Sequence, residues 1–258
     1  MPYPLLNITF LGTGTSSGVP MVACNCHVCT SLDKKDNRLR TSILVQSANT
    51  TIVVDPTPDF RYQMLREKIK NIDALLITHP HKDHIGGIDD TRPFQFFSNK
   101  PTEVYGNEFS LEGVKKEIPY AFHDFKYPGV PKIILHQISL EPFTIGDIPI
   151  VPILVWHLKM PVYGFRFGSF TYITDANRID HSEKEKIRGS KIIVLNALRN
   201  EPHISHFTIE EAIQLVFELK VPTAYFTHIS HQLGRHEEVN KILPQGISLA
   251  FDSFKINI

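Results

Sequence analysis

Thr78-His79-Pro80-His81-Lys82-Asp83-His84-Ile85-Gly86-Gly87 places three histidines and one aspartate within six residues. The stretch follows Asp73-Ala74-Leu75-Leu76-Ile77, a short apolar run that reads as a buried strand. Imidazole and carboxylate are the nitrogen and oxygen ligands that zinc, iron and manganese accept. His79 and His81 stand two apart, so at a strand end they project to one side. Asp83 and His84 are adjacent and leave the turn in different directions. The layout suits two ligands on one metal and two on a neighbour.

The order His-x-His-x-Asp-His resembles the signature of the metallo-β-lactamase superfamily. That resemblance implies an α/β fold, the four-layer αβ/βα sandwich, with a metal centre at one edge. It also calls for three later ligands, a histidine, an aspartate and a final histidine.

The bulk numbers fit a soluble protein. The 258 residues are 42% hydrophobic and 21% charged, ample for a core. Lys+Arg and Asp+Glu are both 27. This balance argues against a nucleic-acid partner held by the whole surface, though not against a local basic patch. The N-terminal stretch lacks a basic region and a small-residue cleavage site, and no apolar run approaches the roughly 20 residues of a membrane span. All three cysteines fall within six residues, too tight and odd in number for a disulfide framework. The expectation is a cytoplasmic protein with reduced thiols and no membrane partner.

Working outward from the motif, Ile8 to Leu11 reads as a strand ending in Gly12-Thr13-Gly14-Thr15-Ser16-Ser17-Gly18. The spacing fits neither phosphate-loop pattern, so these glycines serve a tight turn. Cys24, Cys26 and Cys29 offer three thiolates to one zinc and leave one tetrahedral place, for His27 or a more distant residue. Thr41 to Val45 and Thr51 to Asp55 predict a hairpin. Asp59 is placed to cap a helix to about Lys70, with Phe60, Met64 and Leu65 near one face. Strand, helix and strand then form a βαβ-like unit. Asp89 and Asp90 suit either outer-shell support of ligand histidines or a helix cap. Residues 118–131, with three prolines and four aromatics, read as a lid, a subunit contact or a packed loop, and His123 as a substrate contact at most.

The second half is rich in strands. His157 closes the run Ile148 to Trp156, and Asp175 ends a hairpin turned at Gly168-Ser169. On composition alone both are ordinary strand-end polar residues. Thr208-Ile209-Glu210-Glu211 is a capping box, and Ile209, Ala212, Ile213, Val216 and Phe217 form an apolar stripe behind it. The strand Thr223 to Thr227 runs into His228-Ile229-Ser230-His231. A helix from about His236 to Leu243 and a strand through Leu249-Ala250-Phe251 end the chain. With no repeat, low-complexity tract or linker, residues 1–258 read as one domain.

Order and context match the superfamily. By that resemblance His79, His81 and His157 hold one metal, Asp83, His84 and His228 hold the second, and Asp175 bridges them. Two divalent cations, zinc or manganese, about 3.5–4 Å apart would ionise a water and neutralise an anionic transition state. The chain also resembles the PhnP-type cyclic phosphodiesterase branch, which carries the C-x-C-x2-C cluster and a histidine three residues past the last ligand. Cys24, Cys26, Cys29 and His231 would then hold a structural zinc. His206, just ahead of the capped helix, takes the place of the catalytic acid in that branch and in ribonuclease Z. His203 is its rival, and Asp83 joins His206 as a catalytic candidate.

The function implied is hydrolysis of a small phosphate ester, of the ribosyl 1,2-cyclic phosphate kind. A homodimer is expected from the resemblance only. A ribonuclease Z-like transfer-RNA nuclease shares the ligands, but its long basic arm is missing here. A thioester or lactone hydrolase would not need His206. A non-enzymatic protein like PqqB shares the cysteines, but with a degraded metal motif, whereas all seven ligands stand here.

Overall fold

The computed structural model describes residues 4–123 and 129–258. Residues 124–128, the middle of the aromatic and proline-rich stretch, lie outside the described residues. The strands of the first half are β1 (Asn7–Gly12), β2 (Ser42–Gln46), β3 (Thr51–Val54), β4 (Ala74–Leu76), β5 (Thr102–Gly106) and β6 (Ile133–Gln137). The second half supplies β7 (Phe143–Ile145), β8 (Ile148–His157), β9 (Met160–Phe167), β10 (Phe170–Tyr172), β11 (Arg178–Ile179), β12 (Ile192–Asn196), β13 (Thr223–Thr227) and β14 (Ile247–Leu249). A last strand, β15 (Lys255–Asn257), returns to the first half. The helices are α1 (Phe60–Arg66), α2 (Lys82–Ile85), α3 (Arg92–Ser98), α4 (Glu108–Glu117), α5 (His181–Ile187), α6 (Ile209–Leu219) and α7 (His236–Ile242).

One sheet has the order β15-β1-β2-β3-β4-β5-β6. The other runs β11-β8-β9-β10-β12-β13-β14, with β7 paired to β8. Alternation along the strands separates the layers. Phe10, Ile43, Ile52 and Leu76 of the first sheet meet Ile150, Phe165, Phe167 and Tyr172 of the second in a shared inner core. Their neighbours Leu11, Leu44, Val53 and Leu75 face outward to pack with Phe60 and Met64 of α1 and Leu111 and Val114 of α4. On the far side Ile193, Leu195, Ala224 and Phe226 meet Ile187 of α5, Ala212, Leu215 and Val216 of α6 and Val239 of α7. The layers therefore run helix, sheet, sheet, helix, as the superfamily resemblance implies. No helix among the described residues is long and apolar enough to cross a membrane.

Parallel pairing of β3, β4 and β5 puts their C-terminal ends on one edge. The motif leaves the sheet there, directly after β4.

Some local expectations are corrected. α1 stops at Arg66, short of Lys70, and Leu65 points to solvent. Asp59 stands at the cap position but makes no side-chain cap bond, because its carboxylate takes the Arg40 amide at 2.9 Å and guanidinium at 2.8 Å. The capping box at Thr208 and Glu211 forms as expected. Its helix, however, buries Ala212, Leu215, Val216 and Leu219 and leaves Phe217 exposed. The strand expected through Phe251 ends at Leu249. Gly12 serves close approach: an added Cβ would lie 1.9 Å from the Arg40 carbonyl oxygen.

Candidate metal centre

His79 follows β4 and is fully buried. Thr78 has one hydroxyl proton, and it donates to Asp55 Oδ2 at 2.7 Å. At 2.9 Å from that hydroxyl, His79 Nδ1 must therefore be the N–H that donates to it. This fixes the tautomer and leaves Nε2 with a bare lone pair. Two more rings are held from behind. His84 Nδ1 donates to Asp55 Oδ2 at 2.7 Å, and His157 Nδ1 donates to the Ser205 carbonyl oxygen at 2.8 Å. Three imidazoles thus turn Nε2 the same way, each held by a partner behind it. Metal-ligating histidines are oriented in this manner.

Asp55 was not singled out from sequence. It ends the β3 run in the left-handed region, φ +63, and is fully buried. Its other oxygen accepts the Thr78 amide at 2.9 Å. Burial pushes its carboxyl up, and His84 and the Thr78 donors work against that. The outer-shell role considered for Asp89 and Asp90 falls to Asp55 instead. Asp89 takes the Arg92 guanidinium and the Tyr120 hydroxyl.

Asp175 and His228 come from the other sheet, after β10 and β13. Both adopt left-handed backbone, φ +52 and φ +55, which turns their side chains off the strand direction into the cluster. Asp175 Oδ1 lies 3.2 Å from His228 Nε2 and 3.4 Å from His84 Nε2, and its Oδ2 lies 3.6 Å from His79 Nε2. Asp83 Oδ2 lies 3.2 Å from His84 Nε2 and 3.7 Å from His228 Nε2. Burial alone would raise both carboxyls. For Asp83 the His84 imidazole, and for Asp175 those of His228 and His84, outweigh it and hold each below the usual carboxylate range.

The donor atoms form three overlapping groups, each within 4.8 Å: Asp83, His84, Asp175 and His228; His79, His81 and Asp175; and His157, Asp175 and His206. Asp175 is common to all three. His157 groups with His206 rather than with His79 and His81, although its ring centre is 5.1 Å from that of His81. All seven expected ligand side chains are thereby brought to one place.

Among the described residues His84 Nε2, both ring nitrogens of His228 and His206 Nδ1 are buried without a hydrogen bond. Orphaned nitrogens this deep are costly unless something accepts their lone pairs. A buried set of imidazole lone pairs and ionised carboxylates fits divalent cations.

His206 stacks on His228 with ring centres 4.7 Å apart and meets His157 edge-on at 4.5 Å. Burial, then His228, pushes its imidazole down to about 3. His203 is tied to its own loop, its Nδ1 3.2 Å from Ser205 Oγ. His123 is exposed and joins none of these groups.

A second cluster lies past the end of β13. Cys24, Cys26, Cys29 and His231 each offer a ligand atom within 4.8 Å. His231 Nδ1 is 3.4 Å from Cys24 Sγ and 3.3 Å from Cys26 Sγ. Donors on one tetrahedral zinc stand roughly 3.5 Å apart, so the set is of the right size. The His231 imidazole brings the Cys26 thiol down to about 6, whereas burial pushes the Cys29 thiol up to about 11. His27 is not part of the group; its carbonyl oxygen accepts from Arg235.

Residues 50–229 match the family described as the beta-lactamase superfamily domain. A crystal structure of a new diphosphatase from the PhnP family superposes with a TM-score of 0.92, at 40% identity over 98% of each chain. Zn(2+)-bound PqqB from Methylobacterium extorquens superposes at 0.80, with 18% identity over 98% of this chain and all of that one, a likeness of fold. An octanoyltransferase of Porphyromonas gingivalis is 36% identical over 248 residues, 95% of this chain and 50% of that protein. The chain spans about half the length of the curated relatives it matches.

Proposed function

Because the chain belongs to the β-lactamase superfamily, and within it to the PhnP family, we propose that it is a metal-dependent phosphodiesterase acting on a small phosphate ester. The observation that carries this reading is the shared carboxylate: Asp175 lies within reach of every donor group. His79, His81 and His157 would hold one cation, Asp83, His84 and His228 the other, with Asp175 between them. When bound, the pair supplies a nucleophile from water near neutral pH and neutralises charge on the phosphoryl oxygens. Cys24, Cys26, Cys29 and His231 would hold a zinc that is structural, since four protein donors leave no open position.

The remaining work falls to the chain's own side chains. Asp55 and Thr78 keep the Nε2 atoms of His79 and His84 aimed inward. His206 stands beside both donor sets. There it can hold a proton for the departing oxygen, and an anionic phosphoryl group alongside opposes the effects that keep the imidazole neutral. The relative described as a diphosphatase supports chemistry at phosphorus. The octanoyltransferase relative favours a second reading, hydrolysis of an acyl thioester, but half of that protein lies outside the match.

A rate panel on metal-loaded protein tests this. We expect chelator-sensitive hydrolysis of cyclic and linear phosphodiesters above that of thioesters. His206→Ala should slow esters of aliphatic alcohols by about 100-fold and p-nitrophenyl esters far less, since nitrophenolate departs unprotonated. Faster turnover of thioesters would overturn the proposal, and equal losses on both ester types would remove the acid role.

A further inference from the structure

A cleft of about 660 Å³ lies between the start of α4, the C-terminal end of β6 and the β8–β9 hairpin. Phe109, Ile138, Leu154, Pro161 and Tyr163 give it an apolar side, and Asn107, Glu108, Gln137 and Ser139 a polar one. None of these side chains takes part in the reaction described above.

The cleft is built on the same backbone as the ligands. The Tyr163 amide donates to the carbonyl oxygen of Thr78, the residue before His79, at 3.0 Å. Pro161 pairs with Trp156 and Met160 with His157, so this wall grows out of the strand pair that carries a ligand. The opposite wall is α4. Gly113 of that helix lies against Pro80, between His79 and His81, so closely that an added Cβ would sit 2.2 Å from the proline Cβ. Asn107 caps the helix by accepting the Ser110 amide at 2.8 Å. Phe109 is therefore presented by a fixed helix end, yet it stays 51% exposed. A large aromatic side chain left half exposed on a cleft whose walls share backbone with the ligands is a surface open to an apolar group.

Resting on the phosphodiesterase reading, we propose that this cleft is the subsite for an apolar organic substituent of the ester, and that Phe109 is its specificity-determining residue. The substituent is the one that stays on phosphorus when the leaving group departs, so the substrate class is a phosphodiester whose retained alcohol is bulky and apolar. The walls of the cleft pack on Pro80 and share the strand pair that carries His157.

Two diesters with the same leaving group isolate the subsite: phenyl p-nitrophenyl phosphate and methyl p-nitrophenyl phosphate, given to the metal-loaded protein. The phenyl ester should have the higher kcat/KM by about tenfold or more, chiefly through KM. Phe109→Ala should bring that ratio to within about twofold of one, and Phe109→Leu should keep part of it. Calorimetric titration with phenylphosphonate and methylphosphonate supplies a readout that needs no turnover, and the phenyl compound should bind more tightly. Hydrolysis of both esters at equal kcat/KM, or a preference that survives Phe109→Ala, overturns the subsite. Tighter binding of phenylphosphonate without hydrolysis of either ester keeps the subsite and overturns the phosphodiesterase reading.

Discussion

Asp55 shows how much of the centre lies behind the ligands. It touches no expected cation, yet it fixes His84 directly and His79 through Thr78. Asp55→Asn tolerates the same left-handed backbone and keeps the volume, but loses the charge that accepts three donors. Loss of such support lowers metal affinity by roughly 10–100-fold. Competition against a chromogenic chelator would measure it; unchanged affinity would assign Asp55 a purely structural part. His236 gives a separate prediction, about stability. Burial, then Arg38, whose guanidinium is 3.1 Å from its Nδ1, pushes this imidazole down to about 4 in the folded protein. The unfolded chain takes up its proton near the ordinary value of about 6.5. His236 therefore favours the folded state fully above about pH 6.5 and loses that contribution as pH falls towards 4. Urea midpoints at pH 7 and pH 5 should fall further apart for the native protein than for His236→Gln. The ligands themselves were legible because they follow strands, or sit on and before the short α2 after β4, in a known order. Asp55 was not, because a single acid at a strand end carries no spacing signal.

The elements were legible where a buried run is long enough to stand out and illegible where it is not. Strand runs such as Ile8 to Leu11 stand out, since both faces are covered and every residue but Thr9 is apolar. The stripe on α6 misled because the buried face is turned towards Ala212, Leu215, Val216 and Leu219, with Ile209 and Ile213 at its margin and Phe217 on the exposed side. β15, Lys255–Asn257, is three residues long with a single buried side chain, too short for a pattern. The paired glycines after the ligands do carry meaning. A Cβ on Gly87 would lie 2.0 Å from the Thr57 carbonyl oxygen and 2.7 Å from Phe60 Cβ. Gly87→Ala should thus force α2, which bears Asp83 and His84, away from α1. A cost of about 2–3 kcal/mol is expected from such overpacking, read as a lower thermal midpoint with weaker metal retention. A midpoint within one degree of the native protein would contradict that close fit.

At the scale of the molecule, one segment serves two clusters. His228 ends in the paired site and His231 in the cysteine site, three residues later. Between them Ile229 exchanges backbone hydrogen bonds with Thr13 and Thr15, and the Ser230 amide donates to Leu198. Protein purified without chelator should approach three metal ions per chain by elemental analysis. Cys26→Ser should remove one of them and lower the thermal midpoint, while the remaining pair still supports hydrolysis; a stable but inactive variant would contradict a structural role. The layer order followed from the motif and its resemblance. The cleft beside α4 did not, because its walls come from three strands and a helix that no local pattern links.

The pairing of β15 with β1 has a temporal consequence. Leu6 and Ile258 hydrogen-bond to each other in both directions, so the first strand gains its outer neighbour from a segment that follows all the other strands. A nascent chain emerging from the ribosome must leave that flank of the sheet bare until β15 has been made. The interval is one in which a chaperone, or a stray strand from another molecule, finds an open border to occupy.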